Sequence, residues 1–107
     1  MNGTISATMT LTLPRAISVT VTNDTLSVDL DDGRTISIPI VWYPRLAYGT
    51  PEERNNFQIS GAGYGVHWID LDEDIGIEGL LLGKKSMESP ASFKRWLQRR
   101  KQSGEWK

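Results

Sequence analysis

The sequence of 107 residues contains no cysteine and only one histidine. Without cysteine the chain cannot form disulfides or thiolate metal sites, and one histidine supplies too few nitrogen ligands for a hydrolytic zinc centre. The sequence also lacks a run approaching the roughly 18 apolar residues of a membrane-spanning helix, and it opens with no basic and apolar secretion signal. We therefore expect a cytoplasmic protein with no membrane segment, no bound metal and no other cofactor.

Charge is nearly balanced over the whole chain, at a formal net charge of −1, but it is unevenly distributed. Residues 1–83 carry four basic and eleven acidic side chains, whereas residues 84–107 carry eight basic and two acidic side chains. A basic terminal segment of this kind can bind nucleic acid, or it can dock on the acidic part of its own chain. We favour a solvated or self-docking helix face.

Alternating apolar and polar residues predict a three-stranded antiparallel meander in the first half of the chain. Its strands are residues 16–22, 25–30 and 35–40. Asp32-Gly33 is the signal of a tight hairpin between the second and third strands. Pro39 lacks an amide donor, so the third strand must end there or lie at an edge of the sheet.

A hairpin is predicted in the middle of the chain, between residues 57–60 and 65–69. Its turn contains Gly61, Gly63 and Gly65, which supply the backbone freedom that a tight turn requires. The acid-rich residues 70–74 that follow are expected to form a charged loop.

Two stretches have the composition of helix N-termini. Thr50-Pro51-Glu52-Glu53 combines a capping threonine, a first-turn proline and a glutamate that completes a capping box. Ser89-Pro90 opens a longer amphipathic helix.

The fold class is therefore α+β: a three-stranded meander plus a hairpin, short helices and a C-terminal amphipathic helix. We divide the chain into an N-terminal extension (residues 1–15), an α+β domain (16–83) and a basic linker with the C-terminal helix (84–107).

The C-terminal helix has a stripe of Phe93, Trp96 and Leu97, which is too apolar to remain in water. Burial would contribute about 1.5–3 kcal/mol for each side chain. The stripe can pack on the acidic body of its own chain or against the same stripe of a second copy. We expect an ordered helix packed through Trp96.

Few residues have the pattern of a catalytic site. Histidine is the side-chain type whose ordinary pKa is near neutrality, and Asp70 or Asp72 could orient His67 as a general base. No serine or cysteine lies in a nucleophile-elbow context. We expect His67 to be a buried, hydrogen-bonded structural residue, and an enzyme built on His67 and nearby carboxylates is kept as an alternative.

Arg45 and Arg54 are the only basic residues between Arg34 and Lys84. Arginine is suited to bidentate pairing with carboxylates. We expect both to pair with acids of the central loop, and Arg54 with Asp72 or Asp74 in particular.

Several short motifs, taken together, resemble a bacterial family known as domain of unknown function 2442. In chain order they are DGR at 32–34, PRL at 44–46, ERN at 53–55, GYGVHW at 63–68 and LDEDI at 71–75. The resemblance covers about residues 16–83 and implies a small α+β fold without an established catalytic activity. Members of this family are often encoded beside another small protein in a toxin–antitoxin-like pair, and some carry an added helix-turn-helix domain. Only one helix is predicted after residue 83, which is too little for that domain.

We interpret the chain as a non-catalytic interaction protein, the antitoxin-like partner of a neighbouring small toxin-like protein. The resemblance implies that the partner-binding residues are Asp32, Gly33, Pro44, Arg45, Arg54, Gly63, Gly65, His67, Trp68, Asp72, Glu73 and Asp74. The alternative is sequence-tolerant binding of nucleic acid by the basic residues of the C-terminal helix, namely Lys94, Arg95, Arg99, Arg100 and Lys101.

Overall fold

The computed structural model describes residues 12–102. Most of the predicted N-terminal extension and the last five residues of the C-terminal segment lie outside this range. The described part consists of two three-stranded antiparallel sheets, short helices between them and one longer helix at the C-terminal end. The predicted α+β fold class is confirmed.

The first sheet is the predicted meander, with strands β1 (Ala16–Val21), β2 (Thr25–Leu30) and β3 (Thr35–Pro39) in the order β1-β2-β3. The central strand alternates strictly, so Leu26, Val28 and Leu30 are buried while the residues between them are partly exposed. A period of two puts every second side chain on the core face and fixes the register of the sheet. As predicted from its missing amide donor, Pro39 ends β3 at an edge of the sheet.

Short helical segments cover the meander and lead to the second sheet. A 3₁₀ turn (Ile40–Trp42) is followed by α1 (Pro44–Ala47) and α2 (Pro51–Asn55). The predicted capping box of α2 is present, because the Glu53 amide donates to Thr50 Oγ1 at 3.1 Å and the Thr50 amide donates to Glu53 Oε1 at 2.9 Å. This cap fixes the position of Glu53, which is also used by the C-terminal helix.

The second sheet contains the predicted hairpin, β4 (Phe57–Ser60) and β5 (Gly65–Trp68), and a third strand, β6 (Glu73–Gly76). The sequence predicted that residues 70–74 form a charged loop, and for residues 73–74 that prediction is wrong. Because β6 begins with two acids, its sequence does not show the alternation of apolar and polar residues that is typical of a strand. In the structure, Ile75 pairs with Val66 and Glu73 pairs with Trp68. A buried cross-strand partner therefore outweighs the low strand propensity of the acids.

The remaining helices are α3 (Ile77–Leu81) and α4 (Pro90–Gln102). Ser89 caps α4 as predicted, since its Oγ accepts the Ser92 amide at 3.1 Å. Trp96 of α4 is only 5% exposed and belongs to the same core as both sheets, and Phe93 and Leu97 pack against that core. The prediction of an ordered helix packed through Trp96 is confirmed, and the homodimer through the same stripe stays a prediction.

None of the helices in residues 12–102 combines the length and the apolar composition that crossing a membrane requires.

Candidate interaction site

A cleft of about 440 Å³ lies between the start of β6 and the linker of residues 84–88, which leads to α4. We call it the acidic cleft, since four carboxylates contribute to its walls. The acidic side is formed by Asp72, Glu73 and Asp74, and the linker side by Lys84, Lys85, Met87 and Glu88. Tyr43 and Arg45 form its inner end.

Arg45 holds the two walls of the acidic cleft together. Pro44 begins α1 and places Arg45 in its first turn, where the guanidinium forms an ion pair with Glu88 at 2.5 Å. Its Nη1 donates to the carbonyl oxygens of Leu71 and Asp72, each at 3.2 Å. Both members of the ion pair have side chains that are only 12% exposed, and the hydrogen bond from Arg45 holds the pKa of Glu88 below its usual range. A partly buried pair of this kind fixes the shape of the cleft.

The Arg45 guanidinium also lies over the Trp96 ring, 5.2 Å from its centroid. Trp96 therefore supports the side chain that joins the two walls, and α4 contributes to the site although its residues do not line the cleft. A cation over an indole face is favourable, by about 0.5–2 kcal/mol.

Glu73 is the most perturbed titratable group of the site. Burial raises its pKa from the ordinary 4.5 to about 7, and the negative charges of Glu88 and Asp74 add to the rise while the Arg45 charge opposes it. The side chain is on the core face of β6, because Glu73 pairs with the buried Trp68. Its charge therefore changes near neutral pH inside the acidic cleft.

Two acids, one in the loop before β6 and one in β6 itself, face solvent. The Asp72 and Asp74 side chains are 85% and 76% exposed. Asp72 has φ of 50°, a left-handed conformation that aspartate tolerates better than most residues. Asp72 is thus displayed by a loop whose backbone carbonyls, those of Leu71 and Asp72, are held by Arg45.

His67 lies beside the cleft on β5, and its Nδ1 is 2.7 Å from Asp74 Oδ1. The predicted hydrogen bond is present, but its partner is Asp74 and not Asp70 or Asp72. The predicted burial is wrong, because the His67 side chain is 32% exposed. Alternation along β5 explains this, since Val66 and Trp68 occupy the core face and His67 the outer one.

Arg54 does not reach the acidic loop, so the prediction that it pairs with Asp72 or Asp74 is wrong. Its guanidinium donates to the carbonyls of Leu46 at 2.9 Å and Ala47 at 2.7 Å, and to Asn23 Oδ1 at 3.0 Å. The side chain satisfies the C-terminal carbonyls of α1, which the sequence spacing does not reveal. Arg45 is the arginine that contacts the loop instead.

The other residues of the family-like motifs have structural positions. Asp32 and Gly33 form the β2–β3 turn, where Asp32 pairs with Arg34 at 2.8 Å. Trp68 is fully buried and donates its Nε1–H to the Arg54 carbonyl at 2.9 Å. Gly63 lies in the β4–β5 turn and Gly65 in β5. The structure thus brings only Arg45, Asp72, Glu73 and Asp74 together in the cleft, with His67 beside them.

Sequence reasoning missed the linker side of the cleft, namely Lys84, Lys85, Met87 and Glu88. Those residues read as a polar linker. No local pattern shows that Glu88 meets an arginine 43 positions earlier. The only feature of the sequence that pointed to this side of the cleft was an acid, Glu88, directly before the Ser89-Pro90 helix start.

The basic residues of α4 divide between its two faces. Arg100 is 4% exposed and forms an ion pair with Glu53 at 2.9 Å. Lys94, Arg95, Arg99 and Lys101 are exposed. Four of the five basic residues that the sequence predicted to bind nucleic acid are therefore accessible.

Chemically, the acidic cleft offers hydrogen-bond acceptors and negative charge to a partner. In the part of the chain that the structure describes, no group of three or more His, Cys, Asp or Glu side chains is arranged to hold a metal ion. The exposed Asp72 and Asp74 are suited to binding a cationic or hydrogen-bond-donating surface, whereas the linker side carries the positive charges of Lys84 and Lys85.

Comparison with protein families agrees with the motifs. The model of a family described as "Protein of unknown function (DUF2442)" matches residues 16–86. No curated protein matches the chain.

Two solved structures are similar to this chain. A protein of unknown function from Rhodospirillum rubrum, solved by crystallography, is 30% identical with a TM-score of 0.61 over 70% of this chain and 93% of that one. An uncharacterised protein from Chromobacterium violaceum, solved by NMR, is 26% identical with a TM-score of 0.58 over 67% of this chain and 68% of that one.

Proposed function

The chain belongs to the DUF2442 family, and from that membership and the geometry of the acidic cleft we propose that it is a non-catalytic interaction protein. In this proposal it is the antitoxin-like half of a small two-gene module in the cytoplasm. Its partner is a small, toxin-like protein that binds at the acidic cleft.

The observation that carries the proposal is the convergence of Arg45, Asp72, Glu73 and Asp74 on one cleft. These residues come from two motifs that are separated along the chain. Arg45 is used internally, because its donors are engaged by Glu88 and by two backbone carbonyls. Asp72 and Asp74 are left facing outward, as a binding surface requires.

The charge of the surface defines the kind of partner. Residues 1–83 carry four basic and eleven acidic side chains, so the body has a net charge of −7. Exposed acids attract a basic partner over a distance of about 8 Å at physiological salt and increase its association rate. We therefore expect the partner to present Lys and Arg side chains to Asp72 and Asp74.

Co-purification with the product of the adjacent gene, at native expression levels, tests the proposal. The wild-type chain should retain that partner, and the double variant Asp72→Asn/Asp74→Asn should lose most of it. Asparagine keeps the size of the side chains and tolerates the left-handed backbone at position 72. The matched control is Asp31→Asn/Glu52→Gln, which removes the same charge from exposed positions outside the cleft. A chain that always elutes alone, or equal losses in both double variants, would argue against the proposal.

One observation favours a second candidate function. The outer face of α4 carries Lys94, Arg95, Arg99 and Lys101, all exposed, while its inner face is packed on the body. Such a row of cations would bind nucleic acid through phosphates, without sequence preference and with a steep salt dependence. Titration with duplex DNA at two salt concentrations tests this, and a binding constant that does not respond to salt would exclude it.

A further inference from the structure

The C-terminal helix α4 occupies a surface made by family residues, although the family match ends at residue 86, before α4 begins. We call this surface the helix seat and define it by Arg45, Tyr48 and Glu53. Phe93 packs edge-on against Tyr48 with ring centroids 5.2 Å apart. Trp96 lies under Arg45, and the guanidinium carbon of Arg45 is 5.2 Å from the centroid of the Trp96 ring.

The contact between α4 and the helix seat ends in a charged pair. Arg100 donates through Nη1 to Glu53 Oε2 at 3.0 Å and through Nη2 to Glu53 Oε1 at 2.9 Å. The same guanidinium stacks on Trp96, 4.7 Å from the ring centroid. Phe93, Trp96 and Arg100 thus lie at positions i, i+3 and i+7 of α4. In that order they contact an aromatic, a cationic and an acidic side chain of the body.

Side chains alone attach α4 to the rest of the molecule. Within residues 12–102, the last backbone hydrogen bond from the linker to the body is that of the Ser86 amide to the Trp42 carbonyl, at 3.1 Å. After that point, the backbone hydrogen bonds of α4 are made only within the helix and to its cap. An element held in this way can separate without breaking either sheet.

We infer that the helix seat is a helix-binding surface which α4 fills within its own chain, and that a basic amphipathic helix of the partner protein displaces α4 to bind there. Release of α4 uncovers Glu53 and removes the five basic side chains of this helix, Lys94, Arg95, Arg99, Arg100 and Lys101, from an acidic body. The occupant that fits has an aromatic stripe at helical spacing and an arginine one turn beyond it. The inference deepens the proposed function, because it names the structural class of the partner.

The test measures whether the helix seat accepts a helix that is not part of the same chain. The protein is the full chain with Trp96→Ala and Arg100→Ala, which weaken the docking of its own α4. The probe is a fluorescently labelled synthetic peptide of residues 89–102. The released chain should bind the peptide saturably and at least about tenfold more tightly than the wild type, in which α4 competes for the site.

Two controls define the contact. The same peptide with Trp96→Ala should not bind, and Glu53→Gln in the released chain should weaken binding of the unaltered peptide. Absence of saturable binding to the released chain, or equal binding by released and wild-type chains, would overturn the inference. This assay does not use the natural partner, so its failure would leave the co-purification result at Asp72 and Asp74 unaffected.

Hydrogen exchange on the unaltered full chain provides a second measurement that does not depend on a variant folding. The amides of α4 should exchange through a local opening, faster than those of the central strand β2. Equal protection of α4 and β2 would show that the helix separates only on global unfolding and would overturn the inference.

Discussion

Arg45 is the residue on which the shape of the acidic cleft depends. It joins α1 to the acidic loop through two carbonyls and to the linker through Glu88, and Trp96 lies against its guanidinium. Arginine rather than lysine is required, because only a planar fork reaches all of these groups together.

Arg45→Met should therefore destabilise the protein by about 3 kcal/mol, since it leaves the half-buried Glu88 without its counter-ion. Urea unfolding followed by tryptophan fluorescence measures the change. The control is Arg34→Met, which removes an exposed pair with Asp32 and should cost less than about 1 kcal/mol. Equal effects of the two substitutions would contradict the role assigned to Arg45.

Glu73 makes stability depend on pH in the direction opposite to a typical surface carboxylate. Its pKa is about 7 in the folded chain against an ordinary 4.5, so the folded state binds the proton more tightly than the unfolded state. Its contribution to the free energy of unfolding therefore falls as pH rises from 4.5 to 7. Glu73→Gln should stabilise the protein by about 1–3 kcal/mol at pH 8 and leave it unchanged at pH 4. Thermal unfolding at both pH values measures this, and an equal effect at both would show that burial does not perturb Glu73.

At the scale of elements, the β4–β5 turn shows why this stretch is rich in glycine. Gly61, Ala62 and Gly63 have φ values of 59°, 59° and 97°, all in the left-handed region. A Cβ at Gly63 would also lie 2.7 Å from Arg15 Cβ. Gly65 has no positive φ and lies in the middle strand of the sheet, so only two of the three predicted glycines are needed for the turn.

Gly63→Ala should accordingly cost more than about 1 kcal/mol, because it combines a strained backbone with a steric clash. Gly76→Ala is the matched control, since Gly76 has no positive φ and a Cβ there would meet nothing within 4 Å. The difference in unfolding midpoint between the two variants is the measurement. A Gly63 variant as stable as the Gly76 variant would refute the account of the turn.

Elements with a clear local pattern could be predicted from the sequence. Strict alternation indicated β2, and Thr50 and Ser89 indicated the starts of α2 and α4. The site was predicted less well, because its contacts join distant parts of the chain. Arg45 meets Glu88 and Arg54 meets Asn23, and neither pairing has a signal in sequence spacing.

At the scale of the whole molecule, the uneven charge distribution has a structural counterpart. The basic C-terminal segment docks on the acidic body through Arg100 and Glu53, and Trp96 anchors it in the common core. The helix therefore contributes to stability as well as to the surface that the molecule presents.

Deletion of residues 89–107 should lower the thermal midpoint by more than about 10 °C, because it exposes the core surface that Trp96 covers. Loss of a buried aromatic side chain alone costs about 3–5 kcal/mol. Size-exclusion chromatography of the same variant reports whether the helix also mediates self-association, by a shift toward the monomer. An unchanged melting curve would contradict the docking of α4 on the core.

The central claim, that the acidic cleft binds a small basic protein, is tested most directly by the dissociation constant of the purified neighbouring gene product. Calorimetric titration should give at least about tenfold weaker binding to Asp72→Asn/Asp74→Asn than to the wild type, and less difference between them at high salt. The Asp31→Asn/Glu52→Gln control should bind as the wild type does. Equal affinity of all three proteins, or no binding of the wild type, would contradict the claim.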